Sequence, residues 1–213
     1  NRNYFKLYSC CRYNHAALDC LWYLIKRHPE LSNFQRIDTI TVESYSLAAE
    51  LKDKNPKNTL AAKFSVPFAI ATTLVNRSSG VNAFSNKAIT NKEIISLCQK
   101  VTVTENPEHT DKLPDFRPAK VEVIFSNGKS INHSVKTNRG DWQDPYTKEQ
   151  IKERKFRNMV PYPPPKVPNP KASDIDGNPV EGEPAEIEDP SAKYDMNEIF
   201  ALINCTTSNL REL

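Results

Sequence analysis

The chain has 213 residues, 38% of them hydrophobic and 26% charged, with a formal net charge of +3. That is enough for one ordinary globular domain with something left over, and the charge is too small and too evenly spread to point to nucleic acid. No apolar run approaches the ~20 residues needed to cross a bilayer, and the opening residues lack the apolar core of a signal peptide, so neither nucleic acid nor a membrane is expected as a partner. The cysteines are odd in number, five in all, and Cys10 adjoins Cys11. This is poor material for a disulfide framework and predicts a reducing, intracellular setting, cytoplasmic or mitochondrial. No CxxC or HExxH occurs, so no metal site is expected. The absence of GxGxxG and GxxxxGK(S/T) disfavours nucleotide binding by a glycine-rich loop.

Asn14 is the expected N-cap of a helix over His15 to Lys26, and Ala17, Leu18, Leu21, Trp22, Leu24 and Ile25 give it a wide apolar stripe that should be buried. Pro29 stops it. Ile37 to Glu43 alternates apolar and polar side chains and reads as a half-buried strand. Leu47 to Leu51 suits a helical turn. Asn58 and Thr59 open a second strong helix, Leu60 to Val75, apolar nearly all round and therefore central. Pro67 inside it either kinks the helix or marks a start just before it. Thr90 or Asn91 caps a helix over Lys92 to Gln99, and Val101 to Thr104 is a short strand. Lys120 to Ser126 and Lys129 to Val135 flank Asn127-Gly128, a hairpin signal that favours a type I′ turn. Thr147 and Gln150 form a capping box at the start of a polar helix that should run to about Arg157.

From Pro161 to Pro190 the chain is rich in proline and acid and poor in apolar residues, as an extended, solvated connector would be. Asp195 then caps a last short helix, Met196 to Asn204. The expected organisation is an α+β domain over 1–160 with a small, mostly antiparallel sheet, a linker over 161–192, and a C-terminal helix over 193–213. Limited proteolysis should cut first inside 161–190. A tail as resistant as the helix over Leu60 to Val75 would show that the connector is misread.

The chemistry-bearing stretch is Lys6 to Asp19, KLYSCCRYNHAALD, where a lysine, two cysteines, an arginine, two tyrosines and a histidine crowd the approach to the first helix. Lys6 is a compact cation that can hold a carboxylate, or can simply be a solvated lysine. Cys11 and Arg12 precede the helix, where backbone N–H groups favour anions. Arg12 suits a bidentate pair with a carboxylate. Cys11 is a pocket wall, a proton donor or a buried inert thiol, and Cys10 is structural. His15 can act as acid or base near neutral pH or can cap the helix, with Asp19 one turn on to orient it. His109 and His133 are expected at the surface, and Gly140-Asp141 as a plain turn.

The first block, KLYSCCRYNHAALD, and the second, AAKFSVPFAIATTLV, together resemble the MmgE/PrpD family. RIDTITVES lies between them. The hairpin at Asn127-Gly128, the RGDWQDP loop and the helix ending in Lys155-Phe156 follow in the family's order. The resemblance spans roughly Tyr4 to Phe156. It implies the smaller α+β lid domain of a two-domain enzyme, whose larger helical domain is not matched here. It further implies a lyase or isomerase (dehydratase, decarboxylase or epimerase) that removes a proton next to a carboxylate of a small di- or tricarboxylate. On that reading Lys6 and His15 are catalytic, Lys6, Cys11, Arg12 and Phe68 bind substrate, and no metal or organic cofactor is needed. The partner is a helical-domain subunit or a homologous chain. Phe68 falls where some members carry a tyrosine, so it supplies shape without a hydroxyl, or plain core packing. The alternative is a non-catalytic lid-fold module that binds or regulates a catalytic homologue.

Overall fold

Alternating apolar residues in four short runs pair into one sheet in this computed structural model, which describes residues 4–152. The strands are β1 (Ile37–Ser44), β2 (Val101–Glu105), β3 (Ala119–Phe125) and β4 (Ser130–Val135). Their order across the sheet is β2-β1-β3-β4. β1 runs parallel to β2 and antiparallel to β3, and β3 pairs antiparallel with β4. The fold is therefore α+β with a mostly antiparallel sheet. The one parallel pair needs a long crossover, and residues 45–100 provide it.

The helices are α1 (His15–Arg27), α2 (Ser46–Ala49), α3 (Thr59–Lys63), α4 (Val66–Asn76), α5 (Asn86–Ile89), α6 (Lys92–Gln99) and α7 (Pro107–Thr110). α1 packs on β3 and β4, α4 packs on β2, and α4 also touches α1 and α6. The core is the layer between them: Leu18, Leu21 and Leu24 from α1, Ile70 and Leu74 from α4, Ile94 from α6, and Ile40, Val121 and Val123 from the sheet. Each such side chain contributes about 1.5–3 kcal/mol by leaving water. The second face of β3 carries Lys120, Glu122 and Ile124, half-buried. Among the described residues no helix is long and apolar enough to cross a membrane.

Three local expectations are corrected. The apolar run from Leu60 to Val75 is two helices rather than one, and of the two readings of Pro67 the start just before it holds: α4 begins at Val66 and is capped by Ser65, whose hydroxyl accepts from Phe68 N at 3.0 Å, with Pro67 in the first turn. Only α4 is central. The break leaves Leu60 of α3 and Phe64, which follows it, exposed. Asn14 precedes α1 without capping it. A 3₁₀ turn over Arg12–Asn14 already holds it in helical geometry, and its side-chain amide donates to Lys63 O at 3.1 Å instead. The hairpin turn is not type I′. Gly128 alone has positive φ, at 82°, while Asn127 Oδ1 accepts from Lys129 N at 3.1 Å and Gly128 N donates to Phe125 O at 2.8 Å. That is a type I turn closed by a left-handed glycine. His109 and His133 also depart from expectation, since both are half-buried, His109 in α7 and His133 with its ring stacked 3.5 Å from Tyr23.

The capping box forms as read. Thr147 N donates to Gln150 Oε1 at 3.1 Å, and Gln150 N to Thr147 Oγ1 at 3.2 Å. The further course of that helix, the proline-rich stretch and the last helix lie outside the described residues.

Candidate functional site

Residues 4–11 form an irregular strip fixed at three points. Phe5 N donates to Gly140 O at 2.9 Å, Ser9 N to Ser79 O at 2.9 Å, and Cys11 N to Lys63 O at 2.8 Å. Leu7 and Tyr8 are buried while Lys6 is exposed. The buried Leu7 and Tyr8 side chains and the three backbone bonds therefore anchor the strip, and Lys6, beside the exposed Phe5, stands at the surface on a held backbone. Glycine at position 140 is required for this anchoring. Its φ is +92°, and a Cβ there would stand 2.4 Å from Phe5 O and 2.7 Å from the Tyr146 ring.

His15, in the first turn of α1, is 1% exposed. Its Nε2–H donates to Cys10 O at 3.4 Å, and Nδ1 accepts from the Tyr4 hydroxyl. The Tyr8 ring meets it edge-on with centroids 4.9 Å apart. Burial, with the positive charges of Lys6 and Arg12, pushes the imidazole down to about 3, so it is neutral at pH 7. Burial also holds the Tyr4 hydroxyl above its ordinary value, with Arg12 opposing. Asp19 does not orient His15. Its carboxylate accepts from Tyr8 Oη at 2.7 Å and from Arg139 N at 2.7 Å, which ties the strip and the 139–146 turn to α1.

This burial has a pH consequence. The unfolded chain takes up the His15 proton near pH 6.5, whereas the folded chain does so only near pH 3. The unfolded state therefore binds more protons in that window. Stability should fall as pH falls from 6.5 toward 3, by up to about 1.4 kcal/mol per unit. Urea midpoints for His15→Gln, which cannot titrate, should fall less steeply between pH 6.5 and 4 than those of the parent. Equal slopes would mean that His15 is not the group responsible.

Arg12 is the hinge of the site. Its guanidinium lies 4.2 Å from the Tyr4 ring centroid, and Nη2 donates to Asp141 Oδ1. Asp141 is 2% exposed. It also accepts from Thr137 Oγ1 at 3.3 Å and faces Arg117 Nη1 at 3.9 Å. One carboxylate thus holds two guanidinium groups, and the arrangement carries net positive charge beside the strip. Arg12 Nε, Tyr45 Oη and Asn14 Oδ1 are buried without a hydrogen-bond partner among the described residues. Tyr45 meets Tyr13 edge-on at 5.9 Å, and burial raises its hydroxyl pKa.

Cys11 is half-buried at the end of the strip, and Cys10 is buried, its thiol pushed up to about 12 by burial. Phe68 is 1% exposed on α4, its ring 6.0 Å from that of Phe84. Lys6, Cys11, Arg12 and His15 are thus brought together on one stretch, while Phe68 stands in the core behind it. Sequence reading missed Tyr4, Arg117 and above all Asp141. Asp141 was visible only as part of the RGDWQDP loop and by its place after Gly140, which reads equally well as a turn.

Residues 8–174 match the family described as the MmgE/PrpD C-terminal domain, so Lys6 lies two residues ahead of the matched range. The chain is similar to a cis-aconitate decarboxylase of Aspergillus terreus, 26% identical over 164 residues. It is similar to a cis-aconitate decarboxylase of Aspergillus terreus (strain NIH 2624 / FGSC A1156) at 25% over 164 residues. Each alignment covers 73% of this chain and 33% of the relative, so the chain spans about a third of the length of the curated relatives it matches.

Proposed function

The chain belongs to the MmgE/PrpD C-terminal domain family, and from that premise we propose that it forms the cationic wall of a site that acts on a small di- or tricarboxylate, as a lyase or isomerase completed by a second, helical domain. The observation that supports this reading is the strip itself: an exposed Lys6 on a pinned backbone, in the same stretch as Arg12, whose guanidinium shares one buried carboxylate with that of Arg117. Lys6 engages a substrate carboxylate. A base from the partner domain removes the neighbouring C–H proton, and Lys6 stabilises the charge that builds on the carboxylate as it leaves. Departure of hydroxide, which leaves as water with a proton, completes a dehydration, and return of the proton to carbon completes an epimerisation; in a decarboxylation the abstracted proton returns to the carbon chain and the carbanion left by CO₂ takes up a proton from solvent. Arg12, with one face of its guanidinium committed to Asp141, orients a second carboxylate, and Cys11 walls the site. His15, neutral at pH 7, suits a positioning role that fixes Tyr4 beneath Arg12 better than a general base, which works best with a pKa near the working pH. Phe68 backs the site through the core. No metal or organic cofactor enters this reading.

Cis-aconitate is the first substrate to try, because the two curated relatives are cis-aconitate decarboxylases. The test is co-purification with the helical domain, followed by product analysis on a panel of small polycarboxylates. Failure of every member of the panel in an intact assembly would remove the enzymatic reading. The binding-module alternative would then stand, favoured by the burial of His15 and the missing hydroxyl at Phe68.

A further inference from the structure

α4 is apolar at most of its buried positions, yet Thr72 and Thr73 stand in it fully buried. A buried threonine hydroxyl needs a partner, and inside a helix the nearest is a carbonyl one turn back. Here both hydroxyls reach instead to the segment that follows the helix. Thr72 Oγ1 donates to Ala83 O at 2.7 Å, and Thr73 Oγ1 shares a hydrogen bond with Ser79 Oγ at 2.8 Å. Arg77, in the left-handed region at φ 50°, ends α4 and turns the chain away from the helix axis. Ser79 is 5% exposed, and its hydroxyl also accepts from Trp22 Nε1 on α1 at 3.0 Å. An indole N–H only donates, so Ser79 joins Trp22 to Thr73 in one chain of hydrogen bonds.

In a low-dielectric interior such a chain fixes the residue at its middle. That residue carries the strip, because Ser79 O accepts from Ser9 N at 2.9 Å. The pin at the other side of Lys6, Phe5 N on Gly140 O, hangs on α1 as well, since Asp19 accepts from Arg139 N at 2.7 Å. Asp19 and Trp22 are three apart on α1 and so lie on one face. Lys6 falls between these two pins.

We infer that Trp22, Ser79 and Thr73 are positioning residues for Lys6. They act through the Ser9 pin, setting the backbone from which the ammonium meets a carboxylate, rather than by touching substrate. A misplacement of about 1 Å made far from the chemistry can cost on the order of a hundredfold in rate. The loss falls on kcat, because a displaced ammonium loses most where charge develops in the transition state. The inference rests on the reading of Lys6 as the cation that holds a substrate carboxylate.

The test uses Thr73→Val, which keeps the shape and removes the hydroxyl, and Trp22→Phe, which removes the indole donor. Solvent exchange of the Ser9 amide, followed by NMR in the full chain, should quicken about tenfold in both, as loss of one buried hydrogen bond allows, while the Cys11 amide, held by Lys63 O, changes by less than about twofold. In the assembled enzyme Thr73→Val should lower kcat about tenfold with KM within about twofold of the parent, and Thr73→Ser, which keeps a hydroxyl, should restore it. The deciding readout is the double variant: beside Lys6→Ala, Thr73→Val should have no further effect on kcat, because its influence runs through Lys6. Ile94→Val, a core change on α6, should cost stability and leave Ser9 exchange and kcat unchanged. Unchanged Ser9 exchange in both variants would overturn the inference, as would a Thr73→Val loss that persists undiminished beside Lys6→Ala. Quickened exchange in an intact assembly that turns over no polycarboxylate would remove the role given to Lys6 and leave the hold on Ser9 in place. Normal exchange beside normal turnover in Thr73→Val would remove the positioning role alone.

Discussion

Lys6→Ala is expected to lower kcat/KM of the assembled enzyme by on the order of a hundredfold or more, as loss of one charged stabiliser of developing negative charge does. Most of the loss should fall on kcat, because the interaction strengthens as the carbon acid loses its proton. Folding should be nearly untouched. Lys6 is exposed, and the strip is held by the backbone bonds of Phe5, Ser9 and Cys11, which the substitution leaves in place. Lys6→Arg should rescue only in part, since a planar guanidinium is larger and differently hydrated. Cys10→Ser is the control, a buried thiol given no part in the chemistry. Near-normal kinetics for Lys6→Ala, measured beside thermal melts, would remove the assignment of this site.

Asp141→Ala is expected to have the largest effect on folding. It leaves the Arg12 guanidinium without its carboxylate and Thr137 without an acceptor, and it brings Arg12 and Arg117 together with nothing between them. Removing one member of a buried pair destabilises by roughly 3–5 kcal/mol. Arg12 keeps 29% of its side chain in water, so about 2–3 kcal/mol is the appropriate figure, or a fall of roughly 4–12 °C in Tm. Asp141→Asn preserves shape and one acceptor and should fall between the parent and the alanine variant. Activity should drop in both, because Arg12 loses its orientation. A melt of Asp141→Ala within 1 °C of the parent, by differential scanning, would show that the carboxylate does not hold the two arginines.

The contrast between these residues marks what sequence can carry. Elements set by neighbours in the chain are legible. Asn91 accepts from Glu93 N and Ile94 N at the start of α6, and Thr147 and Gln150 close a reciprocal box, each within a few residues. The alternation of Ile37 to Ser44 and of β3 gives the sheet, and Leu18, Leu21 and Leu24 give the buried stripe of α1. Lys6, Cys11, Arg12 and His15 are legible as a cluster because one short stretch holds them all.

Asp141 is not legible, because its partner Arg12 is 129 residues away and nothing local separates a buried carboxylate from a turn-former. The depth of His15 is not legible either. A histidine in a first turn reads as an acid or base near neutral pH or as a capping group until Tyr4, Tyr8 and the Cys10 carbonyl close over it. Ser65 misleads in the opposite way: an apolar run hides a cap, and the helix break it makes turns Leu60 and Phe64 outward.

Exchange of solvent deuterium into the carbon next to a carboxylate, followed by NMR, is the most direct measurement. It reports the early proton abstraction that dehydration, decarboxylation and epimerisation share, whichever completes the reaction. With cis-aconitate and related polycarboxylates, exchange should appear in the assembled enzyme, be absent with this chain alone, and fall by about a hundredfold in the Lys6→Ala assembly. Exchange catalysed by the isolated chain, or undiminished by Lys6→Ala, would contradict a shared site in which this chain supplies the cationic wall.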